Sequence, residues 1–520
     1  PMGKASVYSR LCKSLSKESG GLMRIFKTSL ILSFALVACQ PQETAPELEV
    51  YQSSASGDRL KKLNAAAGQA DFQINLDSTQ HFQRIEGFGG AITESSAHLI
   101  QALPADQRQA LLAAYFSDTA SAYNLARLHI NSCDFSLSSY AYVAEGDTTL
   151  SSFDLAPDRD DIIPTALQAL ALADGDLRFF ASPWTAPPWM KDNKHWYGGK
   201  LLPEYYDLWA QYFVKYAQAY ADEGLPIWGF TIENEPLGND ANWESMHFSP
   251  EEMAQFIKGH LAPTLKAAGL ESQLFIYDQN RGKELEEWAD HLLSDTSLLP
   301  EIYGTAVHWY TSTYKWFPES LQHTHKLAPG KQIWNTEACV DAEVPHWQDD
   351  AWYWEKEATD WGYTWAPEAD KPDHPKYVPV YRYARDIIGC LNNEVSAWVD
   401  WNIVLARQGG PNHASNWCVA PVIVDTASAE IYYTPLYDAL RHFSHFIKAG
   451  AYKIQAESNL PEGLHFTAVR NPDGSLAIVV LNTTNQELNI ELKLEDQHLG
   501  LTAIAPAALQ SLVIPVKGKA

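Results

Sequence analysis

Residues 227–236 read Ile-Trp-Gly-Phe-Thr-Ile-Glu-Asn-Glu-Pro. An apolar, aromatic and β-branched run that stops at two carboxylates and a proline predicts a buried strand, Ile227 to Ile232, with its polar residues where the strand ends. Tyr205 to Glu223 before it and Pro250 to Ala268 after it carry apolar residues at the three-to-four spacing of a helix. The unit recurs along the chain. Ile85 to Ile92, Asn124 to Ile130, Leu177 to Ser182, Gln273 to Tyr277, Gly304 to Val307, Gln332 to Asn335 and Ala397 to Trp401 are further strand-like runs, with Leu103 to Tyr115 and Val380 to Leu391 among the helical stretches between. Eight strand–helix units predict an α/β fold, a (β/α)8 TIM barrel over residues 83–442, whose reactive groups sit on the face where the strands end.

After Phe443 the period changes from helical to two. Leu464 to Arg470 and Ser475 to Asn482 flank Asn471-Pro472-Asp473-Gly474, a hairpin signal, and Glu487 to Leu494 and Leu509 to Val516 follow. Residues 443–520 therefore read as a C-terminal antiparallel β-sandwich domain, and residues 70–82 as an early strand that joins it.

The amino end reads as a targeting segment. From Met23 the chain runs Met-Arg-Ile-Phe-Lys into an apolar stretch, Ser29 to Ala38, ending Leu36-Val37-Ala38-Cys39. A positive start, a short apolar run and a small residue before a cysteine have the layout of a secretory signal, and the run is too short to span a bilayer. The Leu-x-Ala-Cys ending resembles a bacterial lipobox. Residues 1–22 then read as an upstream extension, 23–38 as a lipoprotein signal peptide, Cys39 as the lipidated residue, and the polar segment 39–69 as a tether. The expectation is an exported protein, lipid-anchored at a bacterial membrane and meeting it through Cys39 alone. Cys133, Cys339, Cys390 and Cys418 lack zinc-like spacing and read as buried small residues, although in an exported chain they could pair.

The 520 residues carry 64 acidic and 38 basic side chains, a formal net charge of −26. Such a surface repels phosphate backbones, so nucleic acid is excluded as a partner. The 18 Trp and 25 Tyr either fill a core or stack on sugar rings. His442 with His445, and His323 with His325, lack a third ligand and read as satisfied surface histidines, so no metal is expected. No nucleotide loop occurs either.

The chemistry is concentrated at two strand ends. Glu233-Asn234-Glu235-Pro236 closes one strand and Glu337-Ala338-Cys339 follows Ile333-Trp334-Asn335-Thr336, which places two carboxylates on one barrel rim. Glycosidic bond cleavage requires such a pair, one to protonate the leaving oxygen and one to attack the anomeric carbon or activate water.

With these residues in hand, the chain resembles glycoside hydrolase family 30, the group containing the glucosylceramidases. The resemblance rests on Gly87-Phe88-Gly89-Gly90-Ala91, Asn131-Ser132-Cys133-Asp134-Phe135-Ser136, Ala181-Ser182-Pro183-Trp184-Thr185, Glu233-Asn234-Glu235-Pro236, Val307-His308-Trp309-Tyr310, Glu337-Ala338-Cys339-Val340, and Asp400-Trp401-Asn402 with Gly409-Gly410-Pro411-Asn412. It implies a retaining glycosidase with Glu235 as acid/base and Glu337 as nucleophile. It also implies that Asp134 and Trp401 bind hydroxyls of a terminal glucose, that Trp184 and Asn416 line the pocket, and that Asn234 holds the 2-hydroxyl. Tyr310 would bond a catalytic carboxylate, His308 would orient its neighbours, and Arg127 would keep Glu337 ionised. No cofactor is implied.

The expected substrate is a β-glucoside or glycolipid, with β-glucan as the alternative. The Gly410-to-His413 run looks like family members that cut β-1,6-glucans. The reading from another class is a carbohydrate-binding surface lipoprotein. The segment Asp341 to Val378, longer than in animal glucosylceramidases and carrying five tryptophans, is expected to shape the aglycone site.

Overall fold

The computed structural model describes residues 48–240, 242–312, 315–341, 379–416 and 418–516. The targeting segment with Cys39 and the tryptophan-rich stretch 342–378 lie outside the described residues. No helix among the described residues is long and apolar enough to cross a membrane.

Eight parallel strands close a barrel in chain order: Gly87–Ala91, Leu125–Ile130, Arg178–Pro183, Ile227–Thr231, Gln273–Asn280, Gly304–His308, Gln332–Glu337 and Val395–Asp400. The eighth returns to the first through Ala397 beside Gly87 and Asp400 beside Gly90. The first strand is glycine-rich because its neighbour is close. A Cβ on Gly89 would stand 2.0 Å from the carbonyl oxygen of Leu125, nearer than strand pairing tolerates.

The barrel interior is filled by Leu125, Phe180, Phe275, Trp334 and Val399, with Trp228 stacked on Trp334 at 5.1 Å. This aromatic plug leaves the strands' C-terminal ends as the place where polar groups gather. Outside, the helix Tyr206–Asp222 buries Tyr206, Trp209, Tyr212, Phe213, Tyr216 and Tyr220 at helical spacing. Much of the aromatic content therefore fills the core.

The second domain is a nine-stranded sheet. Four of its strands, Tyr452–Ser458, Leu464–Arg470, Leu476–Asn482 and Ala508–Ile514, pair antiparallel in the order given. Phe72–Arg84 lies between Tyr452–Ser458 and Leu488–Leu494 and pairs parallel with the latter, so the domain is antiparallel except at that seam. The tether is shorter than its sequence suggested. Glu49–Ser54 is a strand pairing with Ala508–Ile514, and Lys61–Leu63 pairs with it in turn. Val50 and Gln52 are buried on one face while Tyr51 turns its ring to the other, 4.8 Å from that of Phe446, a short alternation that a polar composition hides.

His442 corrects the surface reading of the histidines. It sits on the helix Pro435–Ser444, fully buried, with its ring nitrogens 2.8 Å from Ser511 Oγ and 2.9 Å from Ser53 Oγ. It thus pins the last barrel helix to the sandwich. Burial, then the nearby Arg441 charge, lowers its pKa from 6.5 to about 3.

The folded state therefore needs the neutral ring. His442 contributes stability that is complete above pH 6.5 and is lost as the pH falls toward 3. His442→Leu should cost about 1–3 kcal/mol at pH 8 through the hydroxyls left without the ring. Its Tm should also decline less than the wild-type Tm between pH 6.5 and 4. Parallel Tm-versus-pH curves for the two proteins would remove His442 as an acid-sensitive joint.

Candidate active site

The rim of the barrel carries a cavity of about 430 Å³, lined by Asp134, Phe135, Trp184, Asn234, Glu235, Trp243, Asn280, Tyr310, Glu337, Cys339, Trp401, Asn416 and Cys418. That volume falls in the range that encloses a small ligand. Glu337 ends the seventh strand and Glu235 follows the fourth, and an oxygen of each lies within 4.8 Å of the other. Glu337 is nearly enclosed, with 8% of its side chain exposed, whereas Glu235 is more open at 26%.

Glu337 holds two donors. Arg127, from the second strand, donates Nη1–H to Oε2, and Tyr310 donates its hydroxyl to Oε1 at 3.0 Å. Burial raises the Glu337 pKa and Glu235 adds to this, while His308 and Arg127 pull it down. Arg127 thus offsets the cost of burying the carboxylate rather than lowering its pKa below the usual range.

The backbone at Glu235 is in the left-handed region, φ +48°. That conformation costs a non-glycine residue free energy and persists where surrounding bonds impose it. Here Glu235 N–H donates to the Asp278 carbonyl at 2.9 Å, and Gly238 N–H donates to the Glu235 carbonyl at 2.7 Å.

Asp278 was not legible in the sequence. The fifth strand shifts register between Tyr277 and Gln279, and Tyr277 and Asp278 both have positive φ, +76° and +56°. This bulge turns a fully buried Asp278 into the barrel, where its carboxylate accepts four bonds. Arg127 Nη2 and Thr231 Oγ1 donate to Oδ2 at 2.9 and 2.6 Å, and His308 Nε2 and Thr336 Oγ1 to Oδ1 at 3.0 and 2.6 Å. Although burial acts against the anion, the Arg127 and His308 charges hold its pKa well below the usual carboxylate range.

His308 stands behind the cavity wall and bridges two carboxylates, with Nδ1 3.2 Å from Glu235 Oε1 and Nε2 on Asp278. Burial alone would lower its pKa, but Glu337 and Asp278 raise it to about 9. Glu235, His308 and Glu337 each bring one potential metal-ligand atom to this spot. An imidazolium donating through both nitrogens beside Arg127 offers a cation no lone pair, so the trio reads as a proton-bearing cluster.

The sugar-facing wall is aromatic and acidic. Trp184 and Trp401 stack at 5.2 Å with the Arg127 guanidinium 4.9 and 5.6 Å from their ring centres. Asn416 Nδ2 donates to Asp134 Oδ2 at 3.0 Å, and Asp134 Oδ1 is buried without a hydrogen-bond partner among the described residues. Burial, then the charge of Glu337, raises Asp134 to about 8. Asn234 accepts from Arg127 Nη2 at 2.9 Å through Oδ1.

The residues singled out from the sequence thus gather at one place, with His308 and Arg127 in the layer beneath the cavity surface. Trp243 and Asn280 also line it, and Asn280 Oδ1 accepts from Tyr310 N–H at 2.8 Å. Glu233 makes no hydrogen bond to this cluster: it is fully buried, with neither oxygen hydrogen-bonded among the described residues, and burial pushes its pKa well up.

Known proteins resemble the chain over most of its length. Residues 85–447 match the glycosyl hydrolase family 30 TIM-barrel domain, and residues 450–512 match the family's β-sandwich domain. The lysosomal acid glucosylceramidase of Mus musculus is 33% identical over 474 residues, covering 88% of this chain and 86% of that protein. Among solved structures, SrfJ from Salmonella typhimurium superposes with a TM-score of 0.79 at 26% identity, and the endo-β1,6-glucanase BT3312 with 0.77 at 26%. Each covers 90% of this chain and the whole of the other.

Proposed function

The chain belongs to glycosyl hydrolase family 30 and is a glycoside hydrolase; from that premise we propose that it cleaves terminal β-glucosyl linkages with retention, using Glu337 as nucleophile and Glu235 as acid/base. The observation that carries the reading is the approach of a Glu235 oxygen to within 4.8 Å of one on Glu337. Retaining enzymes hold their carboxyl groups about 5 Å apart, whereas inverting ones leave roughly 6.5–9.5 Å for a water.

The division of labour follows from the donors. Arg127 and Tyr310 both donate to Glu337, which suits it to carry negative charge as the nucleophile, and Glu235, the more open of the two, takes the acid/base role. Glu337 then attacks the anomeric carbon as Glu235 passes its proton to the leaving oxygen. The aglycone departs and a glycosyl ester remains on Glu337. Glu235, now a base, takes a proton from water, which attacks the same carbon and releases the sugar and the Glu337 carboxylate.

Asp134 and Trp401 are proposed to receive the sugar's hydroxyls, since Asp134 Oδ1 has no protein partner among the described residues. Trp184 and Asn416 shape the same wall. Asn234 keeps its amide N–H2 for the 2-hydroxyl because its oxygen is taken by Arg127.

A glucosylceramidase-type substrate is favoured by the similarity to the mouse enzyme. A specific feature supports the second reading, an endo-β-1,6-glucanase. The Gly410-to-His413 run lies next to the cavity-lining segments, with His413 Nε2 3.2 Å from Glu244, the neighbour in sequence of the lining residue Trp243, and the BT3312 glucanase superposes over its whole length. A hydrolysis screen of glucosylceramide, an aryl β-glucoside, an aryl β-xyloside and β-1,6-glucan separates them. The expected result is the highest kcat/KM on the two glucosides with release of single glucose units. Oligosaccharide products from the glucan at a higher kcat/KM would decide for the endo-glucanase, and no turnover on any substrate would overturn both.

A further inference from the structure

Two of the residues lining the cavity do nothing in the chemistry above. Cys339 follows Glu337 by two positions and Cys418 follows Asn416 by two. Both are buried, both line the cavity, and their sulfurs stand 2.8 Å apart across 79 residues of sequence. The backbone aligns them. Val340–Asp341 and Cys418–Val419 form a short antiparallel pair in which Val340 faces Val419 and Asp341 faces Cys418, so Cys339 lies just beyond its end. A sulfur–sulfur distance of 2.8 Å is already close to the roughly 2.05 Å of a disulfide bond.

We propose that Cys339 and Cys418 are a disulfide site, and that the bond staples the segment bearing Asn416 to the strand end bearing the nucleophile. The chemistry is thiol–disulfide exchange with a protein disulfide oxidant of an exporting compartment. One cysteine thiolate attacks the oxidant's disulfide, giving a mixed disulfide and expelling one oxidant thiolate. The second cysteine thiolate attacks the mixed disulfide, forming the Cys339–Cys418 bond and expelling the other. The two thiols lose two protons and two electrons, and the oxidant's disulfide becomes a dithiol.

The consequence is local. Asn416 reaches Asp134 through a single hydrogen bond, and Cys418 N–H donates to the Gly409 carbonyl at 3.4 Å, at the outer limit of such a bond. The Asn416 backbone is held within its own segment, its N–H donating to Asn412 Oδ1 at 2.9 Å and its carbonyl accepting from Asn412 Nδ2 at 2.8 Å. On the other side Cys339 is well held, since its carbonyl accepts from Trp309 Nε1 at 3.1 Å and Trp401 N–H donates to the neighbouring Ala338 carbonyl at 2.8 Å. A bond at Cys418 transfers that rigidity to the Asn416 segment. A link spanning a long stretch of chain also restricts the unfolded state more than a short one does.

The oxidising compartment rests on the reading of residues 23–39 as an export signal, so the test separates the two. The enzyme is exported to the periplasm through an unrelated signal peptide, denatured without reductant in an alkylating agent, and mapped by mass spectrometry. The expected result is alkylation of Cys133 and Cys390, which serve as internal thiols, and recovery of the Cys339 and Cys418 peptides as a linked pair. Reducing the exported enzyme with a phosphine should raise KM for an aryl β-glucoside several-fold, change kcat little and lower Tm. Cys339→Ser, Cys418→Ser and the double variant should share that phenotype without adding to one another. Alkylation of all four cysteines, or a link to another cysteine, would overturn the proposal whatever the chain's own signal does. A linked pair with KM unmoved by reduction would overturn the positioning role. A linked pair in this host, with the chain's own residues 23–39 failing to export it, would sink the export reading and leave the disulfide site standing.

Discussion

Replacing Glu337 by Gln should lower kcat on an aryl β-glucoside by on the order of 10⁵-fold, the scale on which removing a covalent nucleophile cripples a hydrolase. The amide is nearly isosteric and can still accept from Tyr310, so folding should survive. What disappears is the anion that forms the ester, and an activated leaving group cannot compensate for that. Glu235→Ala should behave differently. Proton transfer of this kind contributes roughly 10²–10⁴-fold, and only where the leaving oxygen needs the proton. The variant should therefore lose most on a glycolipid or alkyl glucoside and far less on a dinitrophenyl glucoside. Added azide should accelerate it and yield a β-glucosyl azide, because an anion needs no base to attack the ester. An α-azide product would refute retention, and a near-wild-type rate for Glu337→Gln would refute the nucleophile.

The exposed position of Glu235 and the enclosed position of Glu337 give those two experiments their asymmetry. A small anion reaches the sugar from the open side, where Glu235 stands with a quarter of its side chain exposed. Glu337 sits against Arg127 and Tyr310, where no solute can substitute for it.

The contrast between what the sequence discloses and what it hides has a physical origin. The eight barrel strands were legible because each is an apolar run interrupted at the rim, and both carboxylates were legible because they fall at such interruptions. Glu49–Ser54 was not, since Glu-Val-Tyr-Gln-Ser-Ser is too short and too polar for a period to stand out. Nor could the tryptophans be sorted by count: Trp209, Trp309, Trp334 and Trp398 are core, while Trp184, Trp243 and Trp401 face the cavity. His442 read as a surface residue because nothing local reveals that the sandwich covers it. Asp278 was hidden most thoroughly, because a bulge of one residue reverses the side on which a strand residue emerges and leaves no periodic trace.

That hidden residue should matter nearly as much as the visible pair. Asp278→Asn keeps the shape of the side chain but removes the anion and sets an N–H2 against Arg127 or His308, both donors. Breaking one partner out of a buried ionic cluster costs about 3–5 kcal/mol, so Tm should fall sharply. Arg127 and His308 would then be free to shift, and misplacing the groups they orient by about 1 Å should cost roughly 10²-fold in kcat. The pH dependence of stability tells whether Asp278 sets the charge on His308. His308, raised to about 9 by Glu337 and Asp278 against the effect of burial, contributes stability that is complete below its unfolded value near 6.5 and is lost as the pH rises through 9. Its charge faces Glu235, Glu337 and Asp278, and Arg127 pairs with the last two of these. Without the Asp278 anion its pKa must drop, so the alkaline limb of the stability-versus-pH curve, where His308 loses its proton, should move toward neutral pH in the variant. Thr336→Val, which removes one neutral donor to Asp278, should lower Tm and leave the alkaline limb of that stability curve in place. If Asp278→Asn loses activity while the limb of its stability curve does not move, the carboxylate holds the barrel together and does not set the charge on His308.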